Sequence, residues 1–226
     1  MSLRRPNVVV FDVIETMLSL EPVRAALEPL GVSVELFLTR LLRDGFALSL
    51  AETYRPFRDV ASAAVEALAQ DASREQVDRV LAAFQQLRPY SDVEPALERL
   101  AAADVSVVTL TNGDQQATTS LLEANGLDRY IHRVLTIQDA QRWKPSPTPY
   151  QHAVVNLGRR PSEVALVAVH AWDIHGAHNA GLVTGWCERL EGRYPSIFDP
   201  PDVTGDDLVA VADALLALPL PTRSSA

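Results

Sequence analysis

Several short stretches of this sequence carry side chains that could do chemistry together. Pro6 to Thr16 (PNVVVFDVIET) places Asp12 directly after Asn7–Phe11, a β-branched apolar run that reads as a strand buried on both faces of a parallel sheet. In open α/β sheets the ligand crevice lies beyond the carboxyl ends of the strands, so Asp12 sits at the reactive edge. Thr111-Asn112-Gly113-Asp114 follows a second such run and delivers a hydroxyl and an amide. Lys144 stands in Arg142-Trp143-Lys144-Pro145-Ser146-Pro147, where two prolines are expected to hold the backbone extended and restrict the lysine. His170, Trp172 and Asp173 follow the run VALVAV. Each has an ordinary reading: Asp12 and Asn112-Gly113 as turn chemistry, Lys144 as a surface lysine, His170 and Trp172 as core residues. Gathered at one sheet edge, a carboxylate, an ammonium and an imidazole are the parts of nucleophilic and acid–base chemistry.

The elements that must position these residues are read in chain order. From Leu20 to about Arg88 the valine-rich runs vanish and apolar residues recur at helical spacing: Val34, Leu38, Leu41, Leu42, then Val65 and Leu68, then Val77, Val80, Leu81, Phe84 and Leu87. So long an insertion after a first strand reads as a small helical cap over the reactive edge. Within it, Arg40 and Arg43 lie on a helix expected to end near Gly45; both could be solvated, or one could turn inward to an anionic substrate. Further on, Val93–Ala103 reads as a helix, Val105–Leu110 as a second strand, Gln115–Ala124 as a helix and Arg133–Leu135 as a third strand. A helix containing Tyr150 follows, then strands at Val164–Val169 and Leu182–Trp186, with Gly176, Ala177, Ala180 and Gly181 suited to a close-packed helix between them. Asp206–Leu218 reads as a last helix and the tail from Thr222 as frayed.

Composition bounds the partners. In 226 residues, 47% hydrophobic and 22% charged, there is material for one core and an elaboration. A formal charge of −9 argues against a nucleic-acid partner or an anionic membrane surface, so an anionic substrate needs a locally basic pocket. Cys187 is the only cysteine, which excludes an intramolecular disulfide and favours a reducing compartment. The apolar run before Asp12 is too brief for a secretory signal, and no stretch approaches a bilayer span. A cytoplasmic protein is expected.

Phe11-Asp12-Val13-Ile14-Glu15-Thr16, Leu110-Thr111-Asn112-Gly113, Lys144-Pro145-Ser146-Pro147 and Ala171-Trp172-Asp173 resemble, in order and spacing, the four motifs of the haloacid dehalogenase superfamily. The resemblance implies an α/β fold: a doubly wound, Rossmann-like parallel sheet core, residues 1–19 and 89–226, with a small helical cap domain, residues 20–88, inserted after the first strand. Most of that superfamily are magnesium-dependent phosphatases, which use a second aspartate where this chain has Ile14 and a metal-binding carboxylate where it has Val169. The L-2-haloacid dehalogenase branch is the more similar. It implies that Asp12 displaces halide from the α-carbon of a short 2-haloacid, and that water cleaves the resulting ester to a 2-hydroxy acid, without a metal or cofactor.

By that resemblance Thr16 steadies Asp12, Thr111 and Lys144 hold the substrate carboxylate, and Arg40 and Asn112 cradle the halide. Tyr150 lines the pocket, Trp172 forms an apolar wall, and a homodimer is implied. The chain departs from the branch in four places: Ala168 and His170 where serine and asparagine are common, Ile14 in place of an aromatic, and Glu15 in place of glycine. His170 is then expected to act as the general base, with Asp173 orienting it or Lys144, while Glu15 is expected to crowd or repel a carboxylate substrate. Two other readings stay open: a magnesium-dependent hydrolase of a phosphate ester or other small acid, and a non-catalytic protein that binds in the cap cleft.

Overall fold

The computed structural model describes residues 3–220; the tail expected to fray, from Thr222, lies outside the described residues. In chain order, β1 (Val8–Phe11) and β2 (Leu18–Ser19) precede four helices, α1 (Glu21–Leu27), α2 (Val34–Leu50), α3 (Phe57–Leu68) and α4 (Arg74–Ala83). β3 (Arg88–Pro89) pairs antiparallel with β2, so the two crossings into the helical segment are tied together. Then come α5 (Val93–Ala102), β4 (Ser106–Thr111), α6 (Gln115–Ala124), β5 (Ile131–Thr136), α7 (Ile137–Ala140) and α8 (Pro147–Leu157). The chain closes with β6 (Val164–Ala168), α9 (Ala171–Asn179), β7 (Val183–Cys187), β8 (Val203–Gly205) and α10 (Leu208–Ala217).

Six strands form one parallel sheet in the order β5-β4-β1-β6-β7-β8. This is the doubly wound architecture that the strand runs and the resemblance predict. The period of two along each strand divides the core into two layers. Val8 and Val10 pack with Val108, Leu110, Leu166 and Tyr150. Val9 and Phe11 pack on the opposite face with Val107, Val167, Leu97 and Val211, and that cluster continues through Met17 and Leu18 into Phe37, Leu41, Val65 and Val80 of the helical segment. Each fully buried apolar side chain of this size is worth roughly 1.5–3 kcal/mol, so packing rather than length fixes the four-residue β1 at the centre.

Two expectations are corrected here. The helix carrying Arg40 does not end near Gly45 but runs on to Leu50, capped at its start by the Ser33 hydroxyl, which accepts from the Leu36 amide. Gly45 is in that helix because the Trp143 ring packs against its backbone: a Cβ there would lie 2.5 Å from Trp143 Cε3. The glycine is a contact surface, not a terminator. The sheet also has a sixth strand, β8, in which Thr204 is exposed between two half-buried residues, so it offers no apolar run to read.

The Gly45 contact can be tested directly. Gly45→Ala is expected to lower stability by about 1–3 kcal/mol through overpacking against Trp143, despite alanine's better helix propensity. Urea denaturation showing equal or greater stability would contradict the packing.

Candidate functional site

β1, β4 and β5 extend to one side of the sheet and β6, β7 and β8 to the other, so the strand order reverses between β1 and β6. The crevice of such a sheet opens at that reversal, at the carboxyl ends of the strands. Asp12 leaves the end of β1, and His170 stands two residues beyond the end of β6, just before α9. Thr111 ends β4, and the turn after it is set by the Asp114 cap of α6 and by Thr111 Oγ1, which accepts from the Gly113 amide at 3.0 Å. Lys144 does not arrive directly from a strand end. It sits in the loop between α7 and α8, in a turn closed by the Ser146 amide donating to the Trp143 carbonyl, so the backbone there is not extended.

The Lys144 ammonium is wholly buried and its three protons meet three acceptors: Asp12 Oδ1 at 2.8 Å, Asp173 Oδ2 at 2.6 Å and the Leu110 carbonyl at 2.9 Å. The remaining carboxylate oxygens are also engaged. The Thr16 hydroxyl donates to Asp12 Oδ2 at 2.7 Å while accepting from the Val169 amide, and the Tyr150 hydroxyl donates to Asp173 Oδ1 at 2.5 Å. Burial opposes charge on Asp12, but Lys144 and His170 outweigh it and hold the carboxyl well below its ordinary range. Burial dominates at Asp173 and pushes it up, with the Asp12 charge adding to that. Burial also disfavours charge on Lys144, yet the two carboxylates win and hold it protonated. Burial and the Asp173 carboxylate raise Tyr150, which keeps its hydroxyl a donor.

The second cluster lies on the other side of Asp12. His170 Nε2 meets Glu15 Oε2 at 2.9 Å, and His170 Nδ1 faces Asp12 Oδ2 at 3.7 Å without a hydrogen-bond partner among the described residues. Trp172 stacks on the imidazole, centroids 5.2 Å apart, and packs edge-on against Phe46 of α2. The Glu191 carboxylate accepts from the Ala171 amide at the start of α9. Burial opposes a charged His170, but Asp12 and Glu15 outweigh it and push the imidazole up to about 10.

Several predicted roles change with these contacts. Asp173 orients Lys144 but not His170; Glu15 holds the imidazole instead, its charge met there rather than left to repel an anion. Lys144 has no proton left for a substrate carboxylate while the bridge is intact. Tyr150 lies fully buried under Asp173, a support rather than a pocket wall. Asn112 Oδ1 accepts from the Lys144 amide at 3.0 Å, which leaves its NH₂ for a ligand. Arg40 donates through Nε to Asp44 at 2.8 Å, one turn along its own helix, and no hydrogen bond joins it to Asp12 or Asn112 among the described residues. Sequence reasoning missed Glu15 as a partner of His170 and Phe46 as a partner of Trp172. A cleft of about 810 Å³ runs beside the site, between Tyr54 and Phe57 on one wall and Val13, Ile14, Thr111 and Gln138 on the other.

The magnesium ion used by most of the superfamily does not fit these residues. An ammonium already bridges the two carboxylates, all four of their oxygens accept hydrogen bonds, and Val169 brings no further oxygen ligand. Among the described residues no three His, Cys, Asp or Glu side chains converge as a metal site.

Comparison with known proteins agrees with the motifs. A model of the haloacid dehalogenase-like hydrolase family matches residues 6–181. The chain is 37% identical over 107 residues to (S)-2-haloacid dehalogenase 4A of Burkholderia cepacia, covering 47% of this chain and 46% of that one. It is 32% identical over 123 residues to (S)-2-haloacid dehalogenase 1 of Pseudomonas sp. strain CBS-3, covering 54% of each. The alignments thus span about half the length of these curated relatives. A crystal structure of a dehalogenase with an intermediate complex superposes with a TM-score of 0.84 at 26% identity, over 96% of this chain and 99% of that one.

The buried bridge generates a stability prediction. Lys144→Met leaves two buried carboxylates without their cation and is expected to cost about 3–5 kcal/mol at neutral pH. Asp12 is held below its ordinary value of 3.8 in the native chain, so its contribution is present above about pH 4 and is lost as the pH falls toward the folded value. In the variant both carboxyls rise instead and protonate early. The gap between native and variant should therefore narrow on acidification; denaturation curves with a gap that stays constant from pH 7 to about 4 would refute the bridge.

Proposed function

Because the chain belongs to the haloacid dehalogenase-like hydrolases, we propose that it is a hydrolytic dehalogenase that removes halide from short 2-haloacids and releases 2-hydroxy acids, with Asp12 as nucleophile and no metal. The Lys144–Asp12–Asp173 bridge carries the reading. It keeps a nearly water-excluded carboxylate ionised, which is the state needed to attack carbon. The names of the two relatives support the same substrate class.

In the first step an Asp12 oxygen forms a bond to the α-carbon as the carbon–halogen bond breaks, and halide leaves with the bonding pair. A halide is a stable anion, so no acid is needed at the position of Ile14. In the second step water attacks Asp12 Cγ. Lys144 and Thr16, already on the two carboxylate oxygens, favour the negative charge that develops there. His170 takes the water proton at Nδ1 and passes it to the departing alkoxide. The Asn112 amide and the Thr111 hydroxyl remain as donors to the substrate carboxylate or halide, and Arg40 joins them by exchanging Asp44 for the anion. Trp172 and Phe46 keep water from the first step.

In this reading residues 20–88 are a cap domain over the reactive edge of a core formed by residues 1–19 and 89–226. The partner is a small anion rather than nucleic acid or a membrane; among the described residues no helix is long and apolar enough to cross a bilayer. The cytoplasm is the proposed compartment, and the homodimer rests on the resemblance alone.

Halide release from each enantiomer of 2-chloropropionate and from chloroacetate, in excess chelator, tests the proposal. The native chain should release halide and Asp12→Asn should not. His170→Ala should give a burst of about one halide per chain followed by turnover slowed about 100-fold or more. Turnover that requires magnesium, or survives in Asp12→Asn, would sink the reading; equal alkylation and hydrolysis rates in His170→Ala and the native chain would remove His170 from it.

A further inference from the structure

Glu15 has a backbone conformation that its side chain does not favour. Its φ is +65°, the left-handed region, where a Cβ crowds the following carbonyl and glycine is favoured. The turn that imposes it is short: the Glu15 amide donates to the Leu18 carbonyl at 2.8 Å, immediately beyond the nucleophile. The carboxylate so placed is largely buried and reaches His170 Nε2 at 2.9 Å. An acceptor on Nε2 requires the proton there, which leaves Nδ1 as the site that gains or loses one. Nδ1 is buried, lacks a hydrogen-bond partner among the described residues and faces Asp12 Oδ2.

We propose that Glu15 is a positioning residue for ester hydrolysis: it holds the Nε2 edge of His170 so that Nδ1 faces Asp12 and changes from proton carrier to base when Asp12 becomes an ester. This rests on the dehalogenase reading for its chemical step, and deepens it by naming what makes His170 a base only when one is needed.

The charges around the imidazole decide the switch. Asp12 lies on its Nδ1 side, Glu15 on its Nε2 side, and Glu191 at the start of α9; Lys144 holds the far oxygen of Asp12, and Trp172 supplies an uncharged face backed by Phe46. With Asp12 ionised, two carboxylates flank the ring, raise its pKa and keep it a cation. Alkylation makes Asp12 a neutral ester and removes one of the two. His170 then releases its Nδ1 proton to solvent and becomes a base at the moment that water must be activated.

The proton count closes. Water gives a proton to Nδ1 and its oxygen bonds to Asp12 Cγ. The Cγ–O bond to the substrate breaks, and the alkoxide takes the proton from Nδ1. The Asp12 carboxylic acid then passes its own proton to His170, which restores the ion pair. One proton and one halide are released per turnover.

Histidine-selective NMR titration of the unreacted protein tests this without relying on turnover, with the His170 resonance identified by its loss in His170→Gln. Asp12→Asn imitates the neutral ester, and Glu15→Gln keeps an acceptor on Nε2 but removes the charge. The expectation is a His170 midpoint above pH 8 in the native chain, lowered by one unit or more in each variant. An unchanged midpoint in Asp12→Asn would overturn the switch, and an unchanged midpoint in Glu15→Gln would overturn the role of Glu15, whatever the substrate proves to be. In single-turnover kinetics Glu15→Gly, which also relieves the backbone strain, should slow ester hydrolysis at least tenfold and move its acid limb to lower pH. Loss of thermal stability in Glu15→Gly with the pH profile unmoved would make Glu15 merely structural. Absence of halide release from the native chain would instead strike the dehalogenase reading, leaving the titration to judge the switch.

Discussion

Everything at this sheet edge depends on one buried ammonium. Two carboxylates within reach of each other and almost without water could not both remain charged, because burial alone would protonate at least one. Lys144 places a full positive charge between them and spends its third proton on a backbone carbonyl, so no donor is left unpaired. The result is asymmetric. Asp12, flanked also by His170, is driven toward the anion, whereas Asp173, fully enclosed and supported by Tyr150, rises. Two carboxylates of the same residue type thus shift in opposite directions by difference of surroundings.

The fold serves that bridge. Asp12 and Asp173 come from opposite sides of the strand reversal, and Lys144 comes from the loop before α8, so the three meet only if β1, β4 and β6 keep their register. The alternating apolar faces of those strands provide the register, since a one-residue slip would expose their valines. Gly176 of α9 is part of the same arrangement: a Cβ there would lie 2.6 Å from the Tyr150 hydroxyl and 2.8 Å from Pro145 Cβ. Its absence lets Tyr150 pass close beneath Asp173.

Much of this was legible in the sequence, for physical reasons that can be named. β1, β4, β6 and β7 are β-branched runs buried on both faces, and each observed strand lies within about one residue of its expected bounds. The residues that follow them could therefore be assigned to one edge. Partnership was less legible. Tyr150 was expected in the pocket because spacing along a helix does not reveal which neighbour lies beneath it. Glu15 was expected to point at the substrate because the left-handed turn that swings it to His170 is a property of the Val13–Leu18 backbone, not of residue type. The Arg40–Asp44 pair could have been read, since the two stand four apart on a helix face and close an ordinary surface ion pair. Gly45 misled because glycine ends helices and admits rings equally well.

The proposed chemistry turns on a covalent ester at Asp12 that is hydrolysed at Cγ rather than at the substrate carbon. A single turnover in ¹⁸O-water, with protein in excess over 2-haloacid, followed by mass spectrometry of the peptide containing Asp12, tests it most directly. One heavy oxygen in that peptide and an unlabelled hydroxy acid are the expected result. A labelled hydroxy acid and an unlabelled peptide would mean that water attacks the substrate carbon, either in the free substrate or in the ester, and would contradict hydrolysis at Cγ.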